Sequence, residues 1–221
     1  MSMAGKRRDK GGTKEKIVDV AIQLFTEQGI ANVSTNHIAS AMGISPGNLY
    51  YHFRNKEDIL WHALGRFSSA MALLMGSPDE EEVDALRLRQ YLEDAIGVLN
   101  DYRFFMENEV GLVRESERVE TAFRELEQEN VGKLVQIFGA LQSRGIMIGP
   151  TGREEVEALA SNIWIVFTNW LNYLRTSRGG AGVSIEDRRS GMFHVFMLFR
   201  PYLTEEAITE VGTLFRRGDS A

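Results

Sequence analysis

Apolar residues recur with helical spacing from the start of the chain. Ile17, Ala21, Leu24 and Phe25 fall at i, i+4, i+7 and i+8, one face of a helix from about Thr13 to Gln28 that Gly29 stops. A shorter pattern follows, with Ile38, Ala39 and Met42 turned inward, Ser34 or Thr35 able to cap its start, and Gly43 supplying the left-handed residue that ends it. Ser45 then caps a third helix whose first position is Pro46, where a missing N–H costs nothing, and Leu49 and Phe53 anchor that helix at i and i+4. A fourth runs from Lys56 to about Met75 and breaks at Gly76-Ser77-Pro78. Further helical patterns cover 80–100, 102–114, 118–144, 153–178, 185–202 and 205–216. No stretch alternates as a strand does, so the predicted fold class is all-α.

Two short helices joined by a three-residue turn have the spacing of a helix-turn-helix. Ala39 is small where the two must cross, Gly43 makes the turn, and Ile44 fills the space between them. At about 100° per residue, Leu49 and Phe53 define the buried side of the third helix. The opposite arc carries Gly47, Asn48 and Tyr51, flanked by Tyr50 and His52. That arc offers hydrogen-bonding tips on rigid stems beside a glycine that permits close approach. The major groove of B-DNA, about 12 Å wide, admits one such helix, whose first residues then meet base edges. Lys56, at the start of the fourth helix, is a cation placed where a helix dipole disfavours it unless an anion lies nearby.

Charge sharpens this picture. The chain's net charge is -6, but residues 1–66 carry nine Lys/Arg against six Asp/Glu, a net +3, while residues 67–221 carry sixteen against twenty-five, a net -9. The first part suits a polyanion and the second does not. Lys6, Arg7, Arg8 and Lys10 make a basic arm that either reaches DNA or is simply solvated. The arm has no apolar run able to serve as a signal peptide, the chain has no cysteine, and its apolar segments fall short of a membrane span, so the expected location is cytoplasmic.

Residues 14–64 resemble the DNA-binding domain of the TetR family of bacterial transcriptional regulators. The resemblance rests on Leu24-Phe25, Gly29, Ser34-Thr35, Ile38-Ala39, Gly43, the run Gly47-Asn48-Leu49-Tyr50-Tyr51-His52-Phe53, and Lys56-Glu57. It implies a homodimer that binds a palindromic operator, by family habit as a repressor, and leaves it when a small molecule enters the C-terminal domain. By position, Asn36, Gly47, Asn48 and Tyr51 would meet bases or their sugars, and Thr35, Tyr50, His52 and Lys56 would hold phosphates. Asn36 stands where many relatives carry arginine; an amide pairs with adenine but lacks the fork that grips guanine. The implied organisation is a basic flexible arm over 1–12, a helix-turn-helix DNA-binding domain over 13–66, and a helical effector-binding and dimerisation domain over 67–221.

Aromatic stripes in the C-terminal part read first as core. Polar tips among them also suit a mostly apolar effector pocket, for which Phe105, Phe123, Phe138, Trp164, Phe167, Thr168 and Asn172 are the candidates. The expected effector is therefore hydrophobic. The family pairs its last long helices as a four-helix bundle, which assigns Ile163, Val166, Trp170, Leu174, Phe193, Phe196 and Phe199 to core and dimer interface together. With four histidines and no cysteine, the sequence has no HExxH, GxSxG or phosphate-loop motif and no cluster at metal-ligand spacing. No enzyme, no metal and no cofactor is expected. The alternative reading is a ligand-independent DNA-binding or interaction protein on the same scaffold.

Overall fold

The computed structural model describes residues 10–76, 84–177 and 184–215. Residues 1–9 of the basic arm and 80–83, the start of the helix expected over 80–100, lie outside the described residues. The chain divides into two compact units, 1–66 and 67–221. Among the described residues the elements are helical, with a single isolated bridge pairing Met147 with Leu203.

The first unit is built from α1 (Lys10–Gln28), α2 (Thr35–Ala41), α3 (Pro46–His52) and the start of α4 (Lys56–Met75). Helices α2 and α3 have seven residues each, too short to persist alone in water, so packing must hold them. Ile17, Phe25, Ile38, Leu49, Phe53 and Ile59 supply that packing, each no more than 1% exposed. Gly29 ends α1 at φ 80°, and a 3-10 turn over Ile30–Asn32, absent from the sequence reading, carries the chain to Val33 and α2.

The second unit contains the end of α4, α5 (Ala85–Glu115), α6 (Glu117–Ser143), α7 (Arg153–Ser177), α8 (Ile185–Phe199) and α9 (Glu205–Gly212). The helices expected over 80–100 and 102–114 are two helical segments of α5 that meet at Tyr102, whose backbone is not helical (φ -115°, ψ 15°). At the bend the Asn100 carbonyl accepts from Arg103 Nη1 at 3.1 Å, and the Tyr102 ring packs 5.3 Å from Phe67. A ring cluster of Phe67, Phe104, Phe105 and Phe123 follows from that bend. Among the described residues no helix is long and apolar enough to cross a membrane.

Burial divides the set expected for core and interface together. Ile163, Leu174, Phe196 and Phe199 are at most 6% exposed within the subunit, so their surface is spent in its own core and none remains for a second copy. Phe193 does stay exposed, at 41%, with Val166 and Trp170 half-buried. Other exposed apolar side chains are Ile165 and Tyr173 on α7 and Ile185 and Met197 on α8. Trp170 is held from within: its Nε1 donates to the Asp187 carbonyl at 2.7 Å, and its ring lies 4.3 Å from His194.

Candidate nucleic-acid interface

Local chemistry fixes both helices of the helix-turn-helix. Ser34 Oγ accepts from His37 N at 3.2 Å and starts α2, while His37 Nδ1 turns back to the Ser34 N–H at 3.4 Å, so the two residues cap each other. Helix α2 ends in a Schellman pair: Ile44 N donates to Ala39 O and Gly43 N to Ser40 O, both at 3.0 Å, with Gly43 at φ 65°. Two residues on, Ser45 Oγ accepts from Asn48 N at 3.2 Å and Pro46 occupies the first turn of α3. Cap, turn and cap together set the direction of α3 before any distant contact forms.

Leu49, fully buried, then fixes which side of α3 faces inward. The outward arc is Gly47, Tyr50 and Tyr51, all exposed, with Asn48 and His52 half-exposed beside them. Tyr51 is 64% exposed, an unusual state for a large aromatic ring, and Tyr50 is 51% exposed. From α2, Asn36 is exposed and Thr35 half-exposed. Thr35 Oγ1 and the Tyr50 hydroxyl are 3.0 Å apart, which ties the start of α2 to the middle of α3. Tyr51 and His52 meet edge to face at 5.2 Å.

Lys56 has a different setting from the one expected. Its Nζ donates to the Ile30 carbonyl at 2.8 Å and the Val33 carbonyl at 3.1 Å, stapling the segment between α1 and α2 to the start of α4. The cation's reason for standing at a helix start is thus inside the subunit, and its presence there is no argument for an external anion. Asn55 Oδ1 and the Asp58 carboxylate complete that junction by accepting from Asp58 N (2.8 Å) and Arg54 N (3.3 Å). His62, half-exposed, packs edge-on against Phe53 at 5.1 Å.

Comparison with known proteins decides the family. Residues 17–63 match the family described as bacterial regulatory proteins, tetR family, and residues 66–211 match the one described as TetR, bacterial transcriptional repressor. The chain belongs to the TetR family. A TetR-family transcriptional regulator of Marinobacter aquaeolei is 30% identical, with a TM-score of 0.80 over 91% of this chain and 98% of the other. At 16% identity, the regulatory protein TetR of Rhodobacter sphaeroides shares the fold, with a TM-score of 0.67 over 86% of this chain and 98% of the other. An HTH-type transcriptional regulator of Staphylococcus aureus is 38% identical over 60 residues, 27% of this chain and 32% of that relative's length. This TetR-family chain is therefore a transcriptional regulator with a DNA-binding helix-turn-helix, and not an enzyme.

In the second unit of this TetR-family regulator, α4 to α8 enclose a cavity of about 80 Å³ with an apolar lining that includes Met71, Leu92, Phe138, Trp164, Phe167 and Met192. A second, outer chamber of about 200 Å³ is lined by Phe67, Met106, Phe123, Trp164 and Thr168, with Glu120 and the exposed Arg124 and Glu127 also on its wall. Five expected pocket residues, Phe123, Phe138, Trp164, Phe167 and Thr168, thus line one chamber or the other. Two do not. Phe105 is 1% exposed within the ring cluster, and Asn172 spends its amide on the Met106 carbonyl at 2.7 Å. Ile163 and Phe199, expected in core and interface together, also line the inner cavity.

Proposed function

We propose that this regulator binds a palindromic operator as a homodimer in the cytoplasm, acts as a repressor, and is released by a small hydrophobic effector. The observation that carries the reading is the outward arc of α3, where two tyrosines stand exposed on a helix whose start is capped and whose other side is fixed by Leu49 and Phe53. A folded subunit covers such rings unless another surface does, and the major groove has the width for one helix. In this reading Asn36, Gly47, Asn48 and Tyr51 meet bases or sugars, and Thr35, Tyr50 and His52 hold phosphates. Lys56 acts through its staple, with at most one N–H left for a phosphate.

Exposed Ile165, Tyr173, Phe193 and Met197, on two neighbouring helices with half-buried Val166 and Trp170, favour pairing of α7 and α8 with a second copy. A C₂ pair would set its reading helices about 34–36 Å apart, one turn of DNA. The apolar cavity favours the hydrophobic effector. Helix α4 carries Lys56 at its start and the cavity-lining Met71 and Met75 near its end, one continuous element through which the two events can be linked. Effector shifts operator binding only by its difference in affinity for the two forms, so operator must weaken effector binding by the same factor.

Selection of bound sites from random duplexes tests the reading. Palindromic sites are expected, and Tyr51→Ala should lower affinity for them by about 1–3 kcal/mol while leaving subunit stability within about 0.5 kcal/mol. No enriched site, or an unchanged affinity in the variant, would reject the role given to α3.

A further inference from the structure

Helix α6 runs past both chambers of the second unit. Its Phe123, Leu126 and Glu127 line the outer chamber, and its Leu134, Ile137 and Phe138 line the inner one. Between them in sequence stands Asn130, one turn after Leu126 and one turn before Leu134, lining neither chamber as the side chains stand. It is 2% exposed. Its Nδ2 donates to the Leu126 carbonyl at 2.7 Å, which fixes which end of the amide is nitrogen, and its Oδ1 has no hydrogen-bond partner. A buried carbonyl left in that state is costly, and the cost is recovered when a donor arrives.

We infer that the two chambers form one binding site, divided by Trp164, for an amphipathic amine whose ammonium donates to Asn130 Oδ1 and whose alkyl tail enters the inner cavity. This rests on the proposed effector reading and specifies the head group. Trp164 lines both chambers, and in this inference a turn of its ring joins them and opens Asn130 Oδ1 to the ligand. The apolar inner chamber accepts hydrocarbon. Charge selects the sign of the head. On the outer wall Arg124 is already paired with Glu120 at 2.7 Å, whereas Glu127, three residues before Asn130, has no ion pair or hydrogen bond among the described residues. An ammonium at Asn130 gains that carboxylate; a carboxylate there meets an acceptor and a like charge.

Octylamine, octanol and octanoate share a tail and differ only in the head, and isothermal titration of the full-length protein without DNA separates them. Octylamine should bind most tightly, octanol less, and octanoate at least roughly tenfold more weakly than the amine. Asn130→Leu, which removes the orphaned oxygen, should keep the fold and abolish the advantage of amine and alcohol. Glu127→Gln, an exposed change that leaves the core alone, should bring octylamine down to the level of octanol. Trp164 fluorescence, assigned by its loss in Trp164→Phe, should shift on binding. Octanoate binding as tightly as octylamine, or an unchanged ranking in both variants, overturns the inference. Repeating the titration with operator present asks the separate question of release: amine binding that operator does not weaken removes the effector reading while leaving the site intact.

Discussion

The helix-turn-helix and the helices around the cavity are both built from α-helices, but they are held in place at different ranges. In the first, Ser34, Gly43 and Ser45 act on backbone groups within a turn or so of themselves, and the exposed arc of α3 follows. In the second, the polar contacts span the sequence: Asn172 to Met106, Arg175 to Glu107 at 2.7 Å, Trp170 to the Asp187 carbonyl. One local device is shared, since α6 ends as α2 does, with Gly145 at φ 68° and Ile146 N donating to Leu141 O at 2.9 Å. Local capping sets where a helix begins and ends in both units. In the second unit, distant packing must also set which of its sides is buried.

The largest expected effect removes the long-range part of the local unit. Phe53 is 1% exposed and meets α4 through His62 and α1 through Lys14, whose Nζ lies 5.3 Å from the ring. Phe53→Ala should cost about 3–5 kcal/mol and unfold the DNA-reading unit first. Hydrogen exchange resolved by segment should show protection lost across residues 10–60 and retained in α6 to α8. Loss of protection in both units together would show that they do not fold as separate bodies.

A smaller effect is expected from crowding the other unit. A Cβ at Gly191 would stand 2.5 Å from Trp170 Cδ1, and that ring is pinned by its hydrogen bond to Asp187, so it cannot swing aside freely. Gly191→Ala should destabilise by about 1–3 kcal/mol, measured by urea denaturation, and sedimentation should show the proposed dimer weakened because α7 and α8 are forced apart. A stable variant with unchanged assembly would mean that the pairing surface lies on other helices.

The smallest effect should come from a single cap. Ser45→Ala removes the acceptor for Asn48 N and should cost about 1 kcal/mol in the DNA-reading unit, with operator affinity falling by no more than the stability lost. A far larger loss of affinity at unchanged melting temperature would give the Ser45 hydroxyl a contact of its own with DNA.

Much of the candidate interface was legible because its signals are local. Cap residues, a left-handed glycine and two apolar anchors on a short helix leave one arc for solvent, and the structure exposes Tyr50, Tyr51 and Gly47 there. The staple made by Lys56 was not legible, because its partners are carbonyls of Ile30 and Val33, and carbonyls are present at every position of a sequence. The break at Tyr102 was legible, since the periodicity stops where the backbone leaves the helix. In α7 and α8 apolar residues surround most of the circumference, so spacing alone could not separate Ile163, which lines the cavity, from Ile165, which faces outward at 54% exposure.

By itself, the sequence determined the all-helical fold, the ends of most helices and the face that α3 presents, because each depends on backbone groups satisfied by neighbours a few residues away. Tertiary structure alone decided which apolar side chains became core, cavity wall or outer face, placed Trp164 between two chambers, and left Asn130 Oδ1 without a donor. Burial is a property of what arrives from elsewhere in the chain, and no pattern along a single helix records it.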